Sequence, residues 1–302
     1  VKHVLIIGAG GIGGYFAAVL HARGADVTIL ARGANAQAIR EAGLRIENGP
    51  DEVHVMPRVI ERLDPGESFD LVLVATKTPD TSAALAPAAK RLASTGAVVA
   101  LQNGLGRGAA MSAVVGREVG LDGVVYLEAR LVAPGTVRYF SGARRVEIGD
   151  PNRPVEERAQ PVAEFLTNHG FQAAASSDPL TAAWRKLVLV ATANALTATT
   201  RKPFGEIISG ATGRSVASAM LSEAVTVARK DGAKLAPGHA EEALTFLTEL
   251  GPSLRSSMLH DVERGRPTEV DFLNGEVVRR GREHSTPTPL HELAWLVLGD
   301  PH

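Results

Sequence analysis

The chain has 302 residues, 45% of them hydrophobic and 22% charged, with a formal net charge of −1 and no cysteine. That length exceeds what one core comfortably serves and predicts two domains. Basic residues occur only in short groups such as Arg144–Arg145 and Arg279–Arg280–Arg282, which excludes a nucleic-acid footprint and a polybasic membrane anchor. The missing cysteines exclude a disulfide framework, a thiolate metal site and a cysteine nucleophile.

Val4 to Ile7 is a β-branched and leucine run that predicts a buried strand. It stops at Gly8, too early for a signal peptide or a membrane span, and so predicts a soluble, cytoplasmic protein. Directly after it stand Gly8-Ala9-Gly10-Gly11-Ile12-Gly13, and then a helical pattern from Tyr15 to Arg23. This is G-x-G-x-x-G between a strand and a helix. Its first glycine permits the tight turn, its second lets backbone approach a pyrophosphate, and its third allows close helix–strand packing. The second strand, Asp26–Leu30, ends without the carboxylate that holds an NAD ribose; it is followed by Arg32, whose guanidinium suits a 2′-phosphate. NADP(H) is therefore the expected cofactor.

Two more parallel-type strands are predicted at Leu71–Ala75, ending in Thr76-Lys77, and at Val98–Leu101, ending in Gln102-Asn103-Gly104, with a crossover helix from Pro79 to Leu92 between them. Ligands gather outside the carboxyl ends of such strands, so the glycine turn, Arg32, Lys77 and Asn103 should meet at one sheet edge. From Leu121 to Gly149 short β-rich pieces flank Pro134-Gly135 and predict an antiparallel extension, followed by an amphipathic helix from Pro154 to His169.

After Ser176-Ser177 the pattern is helical. Asp178-Pro179 starts a helix reaching Ala198 that is apolar nearly all round yet carries Lys186 and, two turns on, Asn194, with Val190 between them on the same face. A buried amine costs desolvation unless something uses it. Further helices are expected near Arg214–Lys230, His239–Leu250, Ser253–Glu263, Glu269–Glu283 and Leu290–Leu298. On this reading Ser256-Ser257 lie mid-helix, and Glu269 stands in a first turn whose capping box is Thr268 and Asp271. The nine histidines lack metal-ligand spacing and there is no G-x-S-x-G elbow, so neither a metal site nor hydrolase chemistry is expected. The fold class is an α/β Rossmann-type dinucleotide-binding domain, residues 1–177, followed by an all-α C-terminal domain, residues 178–302. A dehydrogenase with its active site in the cleft between them is the expected arrangement.

Together GAGGIGG, LVLVATK, LQNGLG, AWRKL, NALTA, SSML and TEVDFLNG resemble the ketopantoate reductase family, the NADPH-dependent 2-dehydropantoate 2-reductases of pantothenate biosynthesis. The resemblance runs the whole chain. It implies that Lys186 is the catalytic lysine, Glu269 the acid at the site, and Asn103 an asparagine shared by the reacting carbonyl and the nicotinamide ribose. It further implies that Asn194, Ser257 and Glu269 bind substrate, and that Lys77 joins Gly8–Gly13, Arg32 and Asn103 at the cofactor. The implied partner is a small-molecule 2-oxo acid, and the implied assembly leaves room for a homodimer. Two positions depart from the family pattern: Val190 and Leu254 stand where asparagines are usual. Both remove hydrogen-bonding capacity and point toward a less hydroxylated 2-oxo acid or ketone. Two competing readings are a β-hydroxyacid dehydrogenase, whose Gly-rich substrate helix AWRKL does not match, and a non-catalytic NADP-binding sensor.

Overall fold

A computed structural model describes residues 1–50 and 52–299; residues 300–302 of the expected second domain lie outside them. By its internal contacts the chain divides into two units, Val1–Gln102 with Gly106–Pro179, and Asn103–Leu105 with the chain from Leu180 onward. Asn103 therefore groups with the helical unit, although it follows a strand of the first.

The first unit runs β1 (His3–Ile7), α1 (Gly11–Ala22), β2 (Asp26–Leu30), α2 (Gly33–Ala42), β3 (Leu44–Glu47), β4 (Val53–Val55), β5 (Arg58–Ile60), β6 (Phe69–Val74), α3 (Thr81–Ala89), β7 (Leu92–Ala100), α4 (Arg107–Val115), β8 (Gly120–Ala133), β9 (Thr136–Gly149), α5 (Ala159–Asn168) and β10 (Gln172–Ser176). The sheet order is β4-β3-β9-β8-β7-β6-β1-β2-β5, with β10 also paired to β9. From β5 to β8 every pairing is parallel, which is the Rossmann arrangement. Alternate residues feed two cores: Val4 and Ile6 of β1 join one face, Leu5 and Ile7 the other.

The predicted antiparallel extension is the β8–β9 hairpin. Register shifts between Tyr126 and Leu127, Glu128 and Ala129, and Leu131 and Ala133 bend it, and β9 pairs with β3 through Thr136–Arg138 and with β10 through Arg145–Gly149. The bend carries the sheet around α1. Tyr15, Phe16, Ala17, Ala18 and Leu20 are therefore fully buried, where a helix on one sheet face would leave a side to water. Close wrapping also requires glycine at the start of α1. A Cβ on Gly11 would lie 2.1 Å from the Ala129 carbonyl oxygen. The helix expected from Pro154 begins only at Ala159.

The second unit is built on α6 (Pro179–Thr200), with α7 (Phe204–Ser209), α8 (Ala211–Lys230), α9 (His239–Glu249), α10 (Ser257–Glu263), a 3₁₀ turn (Val270–Phe272), α11 (Asn274–Glu283) and α12 (Pro289–Leu298). Trp184, Leu187, Val188, Ala191 and Ala195 of α6 are buried, as are Ala217, Leu221 and Ala224 of α8 and Val277 and Val278 of α11. Trp184 donates its indole N–H to Asp231 at 2.7 Å, and the same carboxylate accepts from Arg280 (3.1 Å) and meets His284 Nε2 (3.0 Å). Among the described residues no helix is long and apolar enough to cross a membrane.

Two sequence expectations are corrected here. The helix expected over Glu269–Glu283 is interrupted: the chain makes a 3₁₀ turn, breaks at Leu273 and restarts as α11, so Glu269 precedes a short turn and not a full helix. Ser256 and Ser257 are not mid-helix. Ser256 is the N-cap of α10, its Oγ accepting the Leu259 N–H, because serine competes for backbone donors best at a helix start.

Candidate active site

In the first unit the strands β2, β1, β6 and β7 stop in line, with Leu30 opposite Ile7, Ile7 opposite Val74, and Val74 opposite Ala100. The loops carrying the glycine turn, Arg32 and Lys77 therefore leave one carboxyl edge. The strand order reverses between β1 and β6, and the glycine turn leaves β1 at that switch point.

The glycine turn has the features of an anion cradle. Gly10 is the N-cap of α1 with no side chain capping the first turn, and a Cβ built on it meets nothing within 4 Å, so the backbone is open to a ligand. On Gly13 a Cβ would fall 1.9 Å from the Gly8 carbonyl oxygen, which is the close packing expected of the third glycine. Ala9 and Ile12 turn their side chains toward the core and offer only backbone. Arg32 and Lys77 are exposed. Beside them, Thr76 Oγ1 and Gln102 Oε1 are buried and accept no hydrogen bond among the described residues. Open backbone, an uncapped helix start and buried polar atoms without partners fit a dinucleotide phosphate and its attached groups.

In the second unit Lys186 retains some exposed area, but so much protein surrounds its ammonium that burial pulls its pKa from 10.5 to about 8, against the opposing attraction of Glu269. The sequence placed Lys186, Val190 and Asn194 on one face of α6, and the continuous helix keeps them there. Asn194 is buried, and its Nδ2 donates to the Val190 carbonyl at 2.7 Å. Its Oδ1 accepts from Ser257 Oγ (3.2 Å) and from the Met258 N–H (3.0 Å). The backbone donor fixes which end of the amide is oxygen. One turn along, Thr197 Oγ1 bonds Ser256 Oγ at 2.6 Å. Two α6 side chains thus grip the start of α10, and neither Thr197 nor Ser256 was legible as a site residue from sequence. Asn103 and Glu269 are half-buried, and Ser257 is exposed.

A family model described as ketopantoate reductase PanE/ApbA matches residues 4–153, and its C-terminal counterpart matches residues 178–300. The chain belongs to the ketopantoate reductase family. A 2-dehydropantoate 2-reductase of Mesorhizobium japonicum is 31% identical over 307 residues, covering 95% of this chain and 93% of that one. The corresponding enzyme of Archaeoglobus fulgidus is 32% identical, covering 94% and 92%. A solved PanE/ApbA family ketopantoate reductase from Ralstonia eutropha JMP134 superposes with a TM-score of 0.87 at 31% identity, covering 98% of each chain. The family comprises oxidoreductases acting on CH–OH groups. A D-mandelate dehydrogenase solved with NADH and anilino(oxo)acetate shares the fold, with a TM-score of 0.88 at 24% identity over 98% of this chain and 96% of that one.

Proposed function

We propose that this ketopantoate reductase family member reduces a 2-oxo acid to the 2-hydroxy acid with NADPH, 2-dehydropantoate to pantoate, as a step of pantothenate biosynthesis. The observation that carries the reading is Lys186, an amine whose pKa of about 8 lets it hold a proton at neutral pH and release it readily. When bound, the reduced nicotinamide supplies a hydride to the ketone carbon. Negative charge then develops on the carbonyl oxygen; Lys186 Nζ stabilises it and donates the proton that completes the hydroxyl. Glu269 keeps the ammonium charged until that transfer. Asn194 has spent both oxygen lone pairs and one N–H on the protein, so it offers a ligand one donor, suited to a carboxylate oxygen. Ser257 offers its oxygen to a substrate hydroxyl. Asn103 orients the carbonyl and the nicotinamide ribose.

The dinucleotide phosphates are assigned to the turn Gly8–Gly13, and the 2′-phosphate to Arg32 with Lys77 nearby. Arg32 has no ion-pair or hydrogen-bond partner among the described residues, which leaves its fork for a phosphate. Asp26 is excluded from a ribose role: it pairs with His3 at 3.8 Å at the opposite end of β2. Arg32→Ala should raise the KM for NADPH more than tenfold and leave that for NADH nearly unchanged; equal effects on both would refute the NADP assignment.

A second reading keeps the chemistry and changes the substrate. Val190 lies between Lys186 and Asn194 on α6 and contributes only a carbonyl, already taken by Asn194. Leu254, also half-buried, contributes its carbonyl to the Phe204 N–H at 2.9 Å. Neither side chain can pair a substrate hydroxyl, which favours a 2-oxo acid with a more apolar substituent. NADPH oxidation across a panel of 2-oxo acids decides: the highest kcat/KM for ketopantoate supports the first reading, and a preference for apolar 2-oxo acids supports the second. NADPH binding without consumption of any of them would mark a sensor.

A further inference from the structure

Asn35 stands in the first turn of α2, three residues after Arg32, and both ends of its amide are engaged. Its Nδ2 donates to the Ala9 carbonyl at 2.7 Å, and its Oδ1 accepts the Gly135 N–H at 2.8 Å. Ala9 is the residue before Gly10 in the glycine turn, and Gly135 is the tip of the β8–β9 hairpin. That tip is itself fixed: Gly135 is buried at a φ of +74° and gives its carbonyl to the Arg45 N–H at 2.9 Å. One side chain therefore ties the glycine turn, the Arg32 turn and an anchored hairpin together.

The consequence follows from peptide geometry. In a trans peptide the carbonyl and the next N–H point in opposite directions. Holding the Ala9 oxygen from the α2 side aims the Gly10 N–H the other way and blocks rotation of that peptide plane. Gly10 has no Cβ to restrict its backbone, and the space beside it is open, so its conformational freedom is otherwise large. We propose that Asn35 is a positioning residue for the dinucleotide: it locks the Ala9–Gly10 peptide with its amide hydrogen set for a phosphate oxygen, and holds the Arg32 turn in register with it. The proposal rests on the assignment of NADPH to this edge.

Two substitutions separate its roles. Asn35→Asp keeps the acceptor for the Gly135 N–H and removes the donor to Ala9; Asn35→Leu removes both. Binding of NADPH to the full chain is titrated by fluorescence at low ionic strength and in 0.5 M salt, where repulsion between a new carboxylate and the phosphates is screened. Asn35→Asp should raise the Kd for NADPH at least tenfold at both ionic strengths, with the kinetic loss falling on the cofactor KM more than on kcat, while the melting midpoint of the ligand-free protein stays near wild type. Asn35→Leu should lose at least as much affinity and melt earlier. A wild-type Kd for Asn35→Asp in 0.5 M salt overturns the proposal and leaves the cofactor reading standing. Failure of the wild-type chain to bind either NADPH or NADH overturns both.

Discussion

Asn194 on α6 accepts the Met258 backbone N–H at 3.0 Å, so a side chain expected to face substrate also caps the first turn of α10. The two duties use different atoms, and substitution can part them. Asn194→Ala leaves a buried N–H without its acceptor and should cost about 1–3 kcal/mol in chemical denaturation. Asn194→Asp keeps the acceptor for the Met258 N–H but replaces both N–H groups, so it also sets an oxygen against the Val190 carbonyl and should hold the start of α10 at its own cost in stability. Its KM for a 2-oxo acid should nonetheless rise at least tenfold, and a KM unchanged in the aspartate variant would remove Asn194 from the substrate.

The pKa of Lys186 sets a pH limit on reduction. A general acid must be protonated, so kcat/KM should be level near neutrality and fall as pH rises through about 8. Glu269 raises that pKa against the effect of burial, so Glu269→Gln should move the falling limb to lower pH. Lys186→Met should reduce turnover by about 10²–10⁴-fold while NADPH still quenches or enhances fluorescence on binding. A falling limb that Glu269→Gln does not move would uncouple the pair.

The neighbouring glycines Gly10 and Gly11 should fail in different ways. A methyl on Gly10 meets open space, so Gly10→Ala should fold with a near-native melting midpoint and bind dinucleotide at least tenfold more weakly. A methyl on Gly11 would press on the Ala129 carbonyl, so Gly11→Ala should melt several degrees lower even without cofactor. Equal melting midpoints for the two variants would argue against the tight wrap of β8 over α1.

His291 gives the second unit an acid sensitivity. It is fully buried, with Nε2 3.0 Å from the Met220 carbonyl and Nδ1 3.0 Å from Asn274 Nδ2, and burial pulls its pKa from 6.5 to about 4. The unfolded chain then binds the proton more readily than the folded one. Stability should be intact above pH 6.5 and decline as pH falls toward 4, by about 3 kcal/mol in total. Urea midpoints measured across that range should slope downward, and the slope should flatten in His291→Phe, whose starting stability is lower.

Much of this was legible in the sequence because the signals were local. The glycine turn sits between its own strand and helix, and Arg32, Lys77 and Asn103 each follow a run of β-forming residues. Lys186 stands out because an amine on an apolar helix is costly. What was missed depends on partners distant in the chain. The strands β3, β4, β5 and β10 are three to five residues long, and they form because other strands supply edges to pair with: β9 for β3 and β10, β2 for β5, and β3 in turn for β4. The cap at Ser256 is visible only once Thr197 and Asn194 stand opposite it. The bonds of Asn35 span 26 residues to Ala9 and 100 to Gly135, which no periodicity can reveal.

The hairpin that encloses α1 also imposes an order on biosynthesis. The dinucleotide turn leaves the ribosome well before its wall does: Gly11 and Tyr15 meet their covering strands only when β8 and β9 have been made, and β9 completes its pairing with β10 at Ser176. A nascent chain ending at β7 holds every glycine of the turn and none of the wall behind it. Such a chain should be protease-sensitive and indifferent to dinucleotide. Competence to bind should arrive late and abruptly, once the chain through β10 is free to fold.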